Sequence, residues 1–243
     1  MREIRLHTKQ SLNTGTVIEL EEAAAHHLAR VLRGRVGDNI ILFNGDGFDW
    51  QCRIGQIDKR RVEVTVGTAT PINSESPITF KLGLCLSKGD RFDWAIQKAT
   101  ELGVASITPL ISARVEVKLP PERVGKRHAH WQQIVTSACE QSGRVVVPTV
   151  AKPLSLAEWA KAQVADIKLV LHHREAGSLP TRAPSSVALL IGPEGGFAVA
   201  DLDYAKAAGF QNLNLGPRVL RTETAPAAAL SALGALWGDL VSN

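Results

Sequence analysis

Over the first 70 residues, short apolar runs at 16–20, 39–43, 48–57 and 61–66 are separated by turns, among them Asn44-Gly45-Asp46-Gly47 and Asp58-Lys59-Arg60. Short β-rich runs between such breakers are the pattern of strands, and their number predicts a small β-barrel. One helical run interrupts them at 21–32, with AAAHHLARVLR inside it. It is expected to stop at Arg33-Gly34, where a glycine follows a basic last turn. Residues 67–77, GTATPINSESP, are small, polar and proline-flanked, which is the composition of a linker.

From residue 78 the rhythm changes to strand–helix units. Strands are expected at 78–86, 105–111, near 146–151, at 167–171 and at 187–191, and helices at 90–102, 122–142 and 155–163. In the first of these helices Phe92, Ile96, Ala99 and Leu102 recur at three- and four-residue steps before Gly103. This alternation predicts a parallel sheet. The last helix, 222–240, is apolar almost all round and is expected to be buried on more than one side, in the core or against another subunit. Two strand-like runs, VALLI at 187–191 and LNL at 213–215, each break into a glycine-proline turn: Gly192-Pro193-Glu194-Gly195-Gly196 and Gly216-Pro217-Arg218. In open parallel sheets ligands sit beyond the carboxyl ends of strands, so two such turns point to one shared pocket.

Composition changes this picture little. The chain has 243 residues, 44% of them hydrophobic, enough to fold without staples. Cys52, Cys85 and Cys139 are far apart, which argues against a zinc site or a disulfide framework and fits a reducing, cytoplasmic setting. No apolar run is long enough to cross a membrane, so no membrane partner is expected. The net charge of +4 permits an anionic partner, but 10 of the 28 basic residues and 9 of the 24 acidic ones precede residue 71. Neither part is therefore the evident electrostatic footprint, and any nucleic-acid surface must come from local clusters. One cluster is Arg30, Arg33 and Arg35 with His26 and His27; the densest is 111–133, with Arg114, Lys118, Arg123, Lys126, Arg127, His128 and His130.

The first turn is not a phosphate cradle. GPEGG matches neither G-x-x-x-x-G-K-[ST] nor G-x-G-x-x-G, and Glu194 sets a carboxylate where phosphate oxygens would lie. A cationic ligand suits it better. The pair His172-His173 at a strand end does not make a metal site, since adjacent strand residues point to opposite faces and no third ligand is suitably spaced; no metal is expected. Cys139, set among apolar residues, reads as a buried structural thiol.

Five stretches, HLARVLR (27–33), QKATELGV (97–104), EQSGR (140–144), LLIGPEGGF (189–197) and LGPRVLRTETA (215–225), closely resemble the RsmE family of 16S ribosomal RNA uridine-N3 methyltransferases in the SPOUT superfamily. The match runs in order along nearly the whole chain. The resemblance implies a PUA-like RNA-binding β-barrel at 1–70, a linker at 71–77 and, at 78–243, an α/β methyltransferase domain with a parallel sheet and a trefoil knot, acting as a homodimer. It implies S-adenosylmethionine held by Leu171, His172, Gly192, Pro193, Glu194, Gly195, Leu215, Gly216, Leu220, Arg221 and Thr222. Ala198, where the family often has a capping serine, and Pro226, where it commonly has a small residue, depart from its pattern.

Methylating uracil N3 requires an unpaired base, loss of the imide proton and alignment on the methyl group. Arg221 is expected to stabilise the developing imide charge, and Glu194 to orient cofactor or base; no dedicated general base stands out. Arg30, Arg33, Lys88, Arg91, Arg114 and Arg144 are the expected contacts to 16S rRNA or the small ribosomal subunit. The alternatives are a non-catalytic RNA-binding or ribosome-assembly protein, and a SPOUT enzyme acting on another RNA or on a ribose hydroxyl.

Overall fold

The structure, a computed structural model, describes residues 4–58, 61–172, 179 and 181–241. Lys59 and Arg60 of the expected turn, and His173, Arg174 and Glu175 at the expected strand end, lie outside the described residues. The chain divides into two compact units, residues 1–75 with 139–147, and residues 76–138 with 148–243.

The first unit is a five-stranded sheet of β1 (Arg5–His7), β2 (Val17–Glu19), β3 (Asn39–Phe43), β4 (Phe48–Ile57) and β5 (Val62–Pro71), in the order β1-β3-β4-β5-β2. β1 pairs parallel to β3 and the other pairs are antiparallel. Val62, Val64 and Val66 alternate inward along β5 and pack with Leu6, Leu28, Ile40, Leu42 and Ile54 in one core. The strand continues through residues 67–71, which by composition read as linker, because β4 is long enough to pair with it as far as Phe48↔Pro71.

The expected helix 21–32 is two pieces, α1 (Glu22–His26) and a wider π-type segment, His27–Val31. Arg33, and not Gly34, takes the left-handed conformation (φ 56°) that ends it. Gly34 is demanded by packing instead, since a Cβ there would lie 2.9 Å from Leu28 Cδ1.

The second unit is a seven-stranded parallel sheet of β6 (Thr79–Cys85), β7 (Val104–Ile111), β8 (Thr149–Val150), β9 (Leu154–Ser155), β10 (Ile167–Leu171), β11 (Ser186–Ile191) and β12 (Gln211–Leu213). Its order is β12-β10-β11-β6-β7-β8, with β9 also on β7. The strands β6 and β11 are apolar on both faces because helices cover both, as parallel sheets require. Those helices are α2 (Arg91–Glu101), α3 (Pro121–Ser142), α4 (Leu156–Ala162), α5 (Val199–Ala207) and α6 (Thr224–Trp237). Phe92 of α2 meets Trp131 of α3 with ring centroids 4.9 Å apart, and α4 approaches β6 so closely that a Cβ on Gly83 would meet Trp159 at 2.6 Å.

One expectation is corrected here. LNL is strand only as far as Leu213: β12 begins two residues earlier, at Gln211, where Leu169, Val170 and Leu171 give it a partner, and Asn214 and Leu215 belong to the following loop. The last helix buries one face, through Ala225, Ala229, Leu230, Leu233 and Trp237, while Leu236 remains 56% exposed. Its uniform apolarity is therefore not fully used within the chain.

Candidate active site

The carboxyl ends of β10 and β11 and the loop after β12 open into one cavity of about 850 Å³. His172, just past β10, donates its backbone N–H to the Leu213 carbonyl at 3.1 Å, so the β12 loop is carried beside the end of β10. The first glycine-proline turn closes with the Gly196 N–H on the Pro193 carbonyl at 2.9 Å. The second takes an Asx form, with the Gly216 N–H on Asn214 Oδ1 at 2.8 Å and Gly216 at φ 90°, a conformation that favours glycine. Gly192 is needed for a different reason: its φ is ordinary, but a Cβ would stand 3.0 Å from the Phe197 ring.

The first turn is tied to two other loops. Glu194 Oε1 accepts from the Lys88 backbone N–H at 3.1 Å and from Arg91 at 3.2 Å. Arg114 donates to the Gly195 carbonyl at 3.0 Å, and the buried Asp201 accepts from Ala113 N–H at 3.4 Å and from Ala198 N–H at 2.9 Å. Asp201 thus holds the α5 terminus that Ala198 has no side chain to cap. The Lys88 ammonium pairs with Glu116, which raises the lysine's pKa and lowers the carboxylate's, chiefly through that hydrogen bond.

All eleven residues expected to hold the cofactor line this cavity: Leu171, His172, Gly192, Pro193, Glu194, Gly195, Leu215, Gly216, Leu220, Arg221 and Thr222. Arg91 and Arg114 line it too, and Lys88 sits next to it through Glu194. Glu194, whose carboxylate was expected to suit a cationic ligand, has a cationic partner within the chain in Arg91. Arg30 and Arg33 are exposed on the first unit.

Arg144 is the clear correction. It is 4% exposed, with its guanidinium on Glu75, while Glu75 also accepts from the Val146 N–H at 3.2 Å, so Arg144 serves the core of the first unit and is not a surface contact. The basic stretch 111–133 is likewise partly spent internally. His130 bonds Asp93 at 2.6 Å, His128 the Val150 carbonyl at 2.7 Å, and Arg127 lies over Trp131.

Sequence reasoning missed Phe197, Arg218 and Glu223 as lining residues. Arg218 and Glu223 stand inside LGPRVLRTETA, so the motif carried the signal. Phe197 likewise closes LLIGPEGGF. Among the described residues no cluster of three potential ligands is arranged for a metal, and no helix is long and apolar enough to cross a membrane.

Residues 74–234 match the RNA methyltransferase domain, and residues 20–67 the RNA methyltransferase PUA domain. The chain belongs to the RNA methyltransferase family. Its fold is that of the SPOUT methyltransferases, with a PUA-like β-sheet unit. It is 34% identical to the ribosomal RNA small subunit methyltransferase E of Buchnera aphidicola, over 97% of both chains, and 34% identical to that of Bacillus subtilis, over 93% of both. Among solved structures it resembles a methyltransferase from Legionella pneumophila in complex with bound S-adenosylmethionine (40% identity, 99% and 100% covered, TM-score 0.95). It also resembles the ribosomal RNA small subunit methyltransferase E of Neisseria gonorrhoeae bound to S-adenosylmethionine (39%, 99% and 100%, TM-score 0.92).

Proposed function

We infer that the protein is an S-adenosylmethionine-dependent ribosomal RNA methyltransferase, and that the atom it methylates is N3 of a uridine in 16S rRNA. The observation that carries this is the meeting of both glycine-proline turns in one cavity at the carboxyl ends of the parallel strands, in a chain whose solved relatives hold that cofactor. The cavity fits the group. Its volume suits a nucleoside-sized ligand, four glycines of its two turns, Gly192, Gly195, Gly196 and Gly216, line it, and both polar and apolar residues surround it. Leu171, His172, Gly192–Gly195, Leu215, Gly216 and Leu220–Thr222 would hold it, and bound there it supplies an electrophilic methyl group on a sulfonium.

In this reading Arg221 holds the carbonyl oxygen of the uracil on which negative charge gathers as the imide proton leaves. Glu194, paired with Arg91, positions the first turn that orients the cofactor. Arg30 and Arg33, and separately Lys88, Arg91 and Arg114, are cations for the RNA backbone. Phosphates would have to displace Glu116 from Lys88 and Glu194 from Arg91.

The order β12-β10-β11, in which the chain leaves β11 and pairs on the far side of β10, supports a threaded C-terminal segment, a trefoil knot built around the cavity. The exposed Leu236 face of α6 supports a homodimer. Three buried cysteines with no disulfide between them are consistent with a reducing, cytoplasmic location. Mass mapping of 16S rRNA from a strain lacking the protein, with calorimetric titration of S-adenosylmethionine into the pure chain, tests the assignment. One missing uridine methyl and saturable binding are expected; an unchanged methylation map would sink it.

A further inference from the structure

Four arginines line the cavity among the described residues, and they divide by turn. Arg91 and Arg114 are spent on the first turn, one on the Glu194 carboxylate and the other on the Gly195 carbonyl. Arg218 and Arg221, on the second turn and its exit, are both exposed, and neither guanidinium has a hydrogen-bond or ion-pair partner among the described residues.

The stretch that carries them is fixed at both ends. Asn214 Oδ1 accepts the Gly216 N–H at 2.8 Å, Gly216 takes its left-handed φ of 90°, and the ring of Pro217 locks the next φ, so the backbone leading into Arg218 has little freedom. Beyond Arg218, Thr222 is buried, and the Arg221 carbonyl accepts the first amides of α6, from Thr224 and Ala225, at 3.0 and 2.9 Å. Between these anchors the chain does not bury what it carries: Val219 is 76% exposed. Val199, the first residue of α5, also lines the cavity and is 75% exposed. One exposed valine needs no explanation, but two that border one opening form an apolar rim, which the face of an unstacked base can cover.

A guanidinium presented on a fixed turn recognises an oxyanion through its planar fork of donors. In the reading above two anions come to this cavity, the carboxylate of S-adenosylmethionine and the phosphates of RNA. That cofactor lies between the turns, whereas Arg218 stands in solvent at the rim, where a nucleotide must pass to enter. Arg218 and Arg221 are three residues apart, so their Cα atoms lie within about 11 Å of each other. One nucleotide can therefore meet Arg221 with its base edge and Arg218 with its phosphate. We propose that Arg218 binds the phosphate of the target nucleotide while its base is turned into the cavity, a role that rests on the RNA-methyltransferase reading above and adds a substrate-positioning residue to it.

The test uses the full-length protein with R218M and R218K, small subunits lacking the methyl group as substrate, and S-adenosylmethionine titrated separately by calorimetry. R218M is expected to lower kcat at saturation about tenfold, because a nucleotide no longer held by its phosphate presents the atom to be methylated out of line. The slope of log(kcat/KM) against log salt becomes shallower by about 0.7, one counterion-release term for an unpaired strand. The cofactor Kd stays within about twofold of wild type, and Tm is unchanged because the side chain has no partner to lose. R218K, which keeps the charge without the fork, restores the slope and only part of kcat. A weaker cofactor Kd in R218M with an unchanged salt slope overturns the role and gives Arg218 the cofactor carboxylate. A loss confined to KM overturns it as well, since the phosphate met would then lie away from the target nucleotide, and so do a kcat and a slope equal to those of wild type. A wild-type protein that methylates no ribosomal RNA overturns the reading on which the role rests, and the role with it.

Discussion

Arg91 and Glu194 stand 103 residues apart in sequence and form an ion pair at 3.2 Å that fastens the first glycine-proline turn to the start of α2. Their side chains are 44% and 34% exposed, so the pair contributes less than about 1 kcal/mol to global stability. Its consequence is local, because Glu194 lines the cavity and Arg91 sets where it stays. R91M and E194Q are each expected to weaken S-adenosylmethionine binding about fivefold, and the double variant no more than either alone. Calorimetric titration of all four proteins gives the coupling; additive losses would show that the pair does not act as a unit.

Gly192 makes a sharper demand. A Cβ there meets the Phe197 ring at 3.0 Å, and both residues line the cavity, so G192A must displace either the turn or the ring. The expected result is about 2 kcal/mol of lost stability and at least about tenfold weaker cofactor binding. Shrinking the ring should restore part of both. If G192A/F197L binds no better than G192A, the contact is not the reason for glycine.

These two predictions mark what the sequence could and could not tell. The two turns were legible because a glycine-proline break after an apolar run announces a strand end, and two such breaks in one parallel sheet share a crevice; the individual residues expected to hold the cofactor came from the family resemblance. The partners of the turns were not legible. Arg91 and Arg114 reach the first turn across 103 and 81 residues, and nothing local in the chain records such a meeting. Arg144 shows the same limit from the other side: in EQSGR it reads as one more surface cation, and only Glu75, 69 residues away, makes it a core residue. Arg218 was visible as a letter of the motif, but its lack of a partner among the described residues is a property of packing alone.

Arg144 therefore carries a prediction about stability. Its guanidinium is 5% exposed and its partner carboxylate 30% exposed, so R144M strands Glu75 in a poorly solvated place. The variant should lose about 3 kcal/mol in urea unfolding. Its affinity for cofactor at 10 °C should be unchanged, because the cavity belongs to the other unit. A stable R144M with impaired RNA binding would return the residue to the surface.

The buried thiols set an alkaline limit. Burial pushes Cys85 and Cys139 from the ordinary 9.0 up to about 12, so both stay protonated in the folded chain where unfolded thiols ionise. A folded pKa raised above the unfolded one means that the unfolded state loses protons first, and stability falls as pH rises from 9 towards 12. Each thiol contributes a slope of up to about 1.4 kcal/mol per pH unit. C139A and C85A should each flatten the decline of Tm above pH 9, and at pH 8 neither native thiol should react with iodoacetamide until denaturant is added. Rapid alkylation of the native protein at pH 8 would contradict the burial.

Arg30 and Arg33 test the RNA reading of the first unit without touching the cavity. Both are exposed around the π-type segment after α1, with Arg35 also exposed nearby, and Arg33 is fixed in a left-handed conformation that ends the segment. If each neutralises one backbone phosphate, reversing both charges removes two counterion-release terms. RNA affinity then falls, and the slope of log K against log salt becomes shallower by about 1.4 for a single-stranded target. Cofactor affinity stays at the wild-type value because no residue of the cavity has changed. R30E alone should give half the change in slope. An R30E/R33E protein that binds RNA with unchanged affinity and unchanged salt slope would remove this surface from the interface.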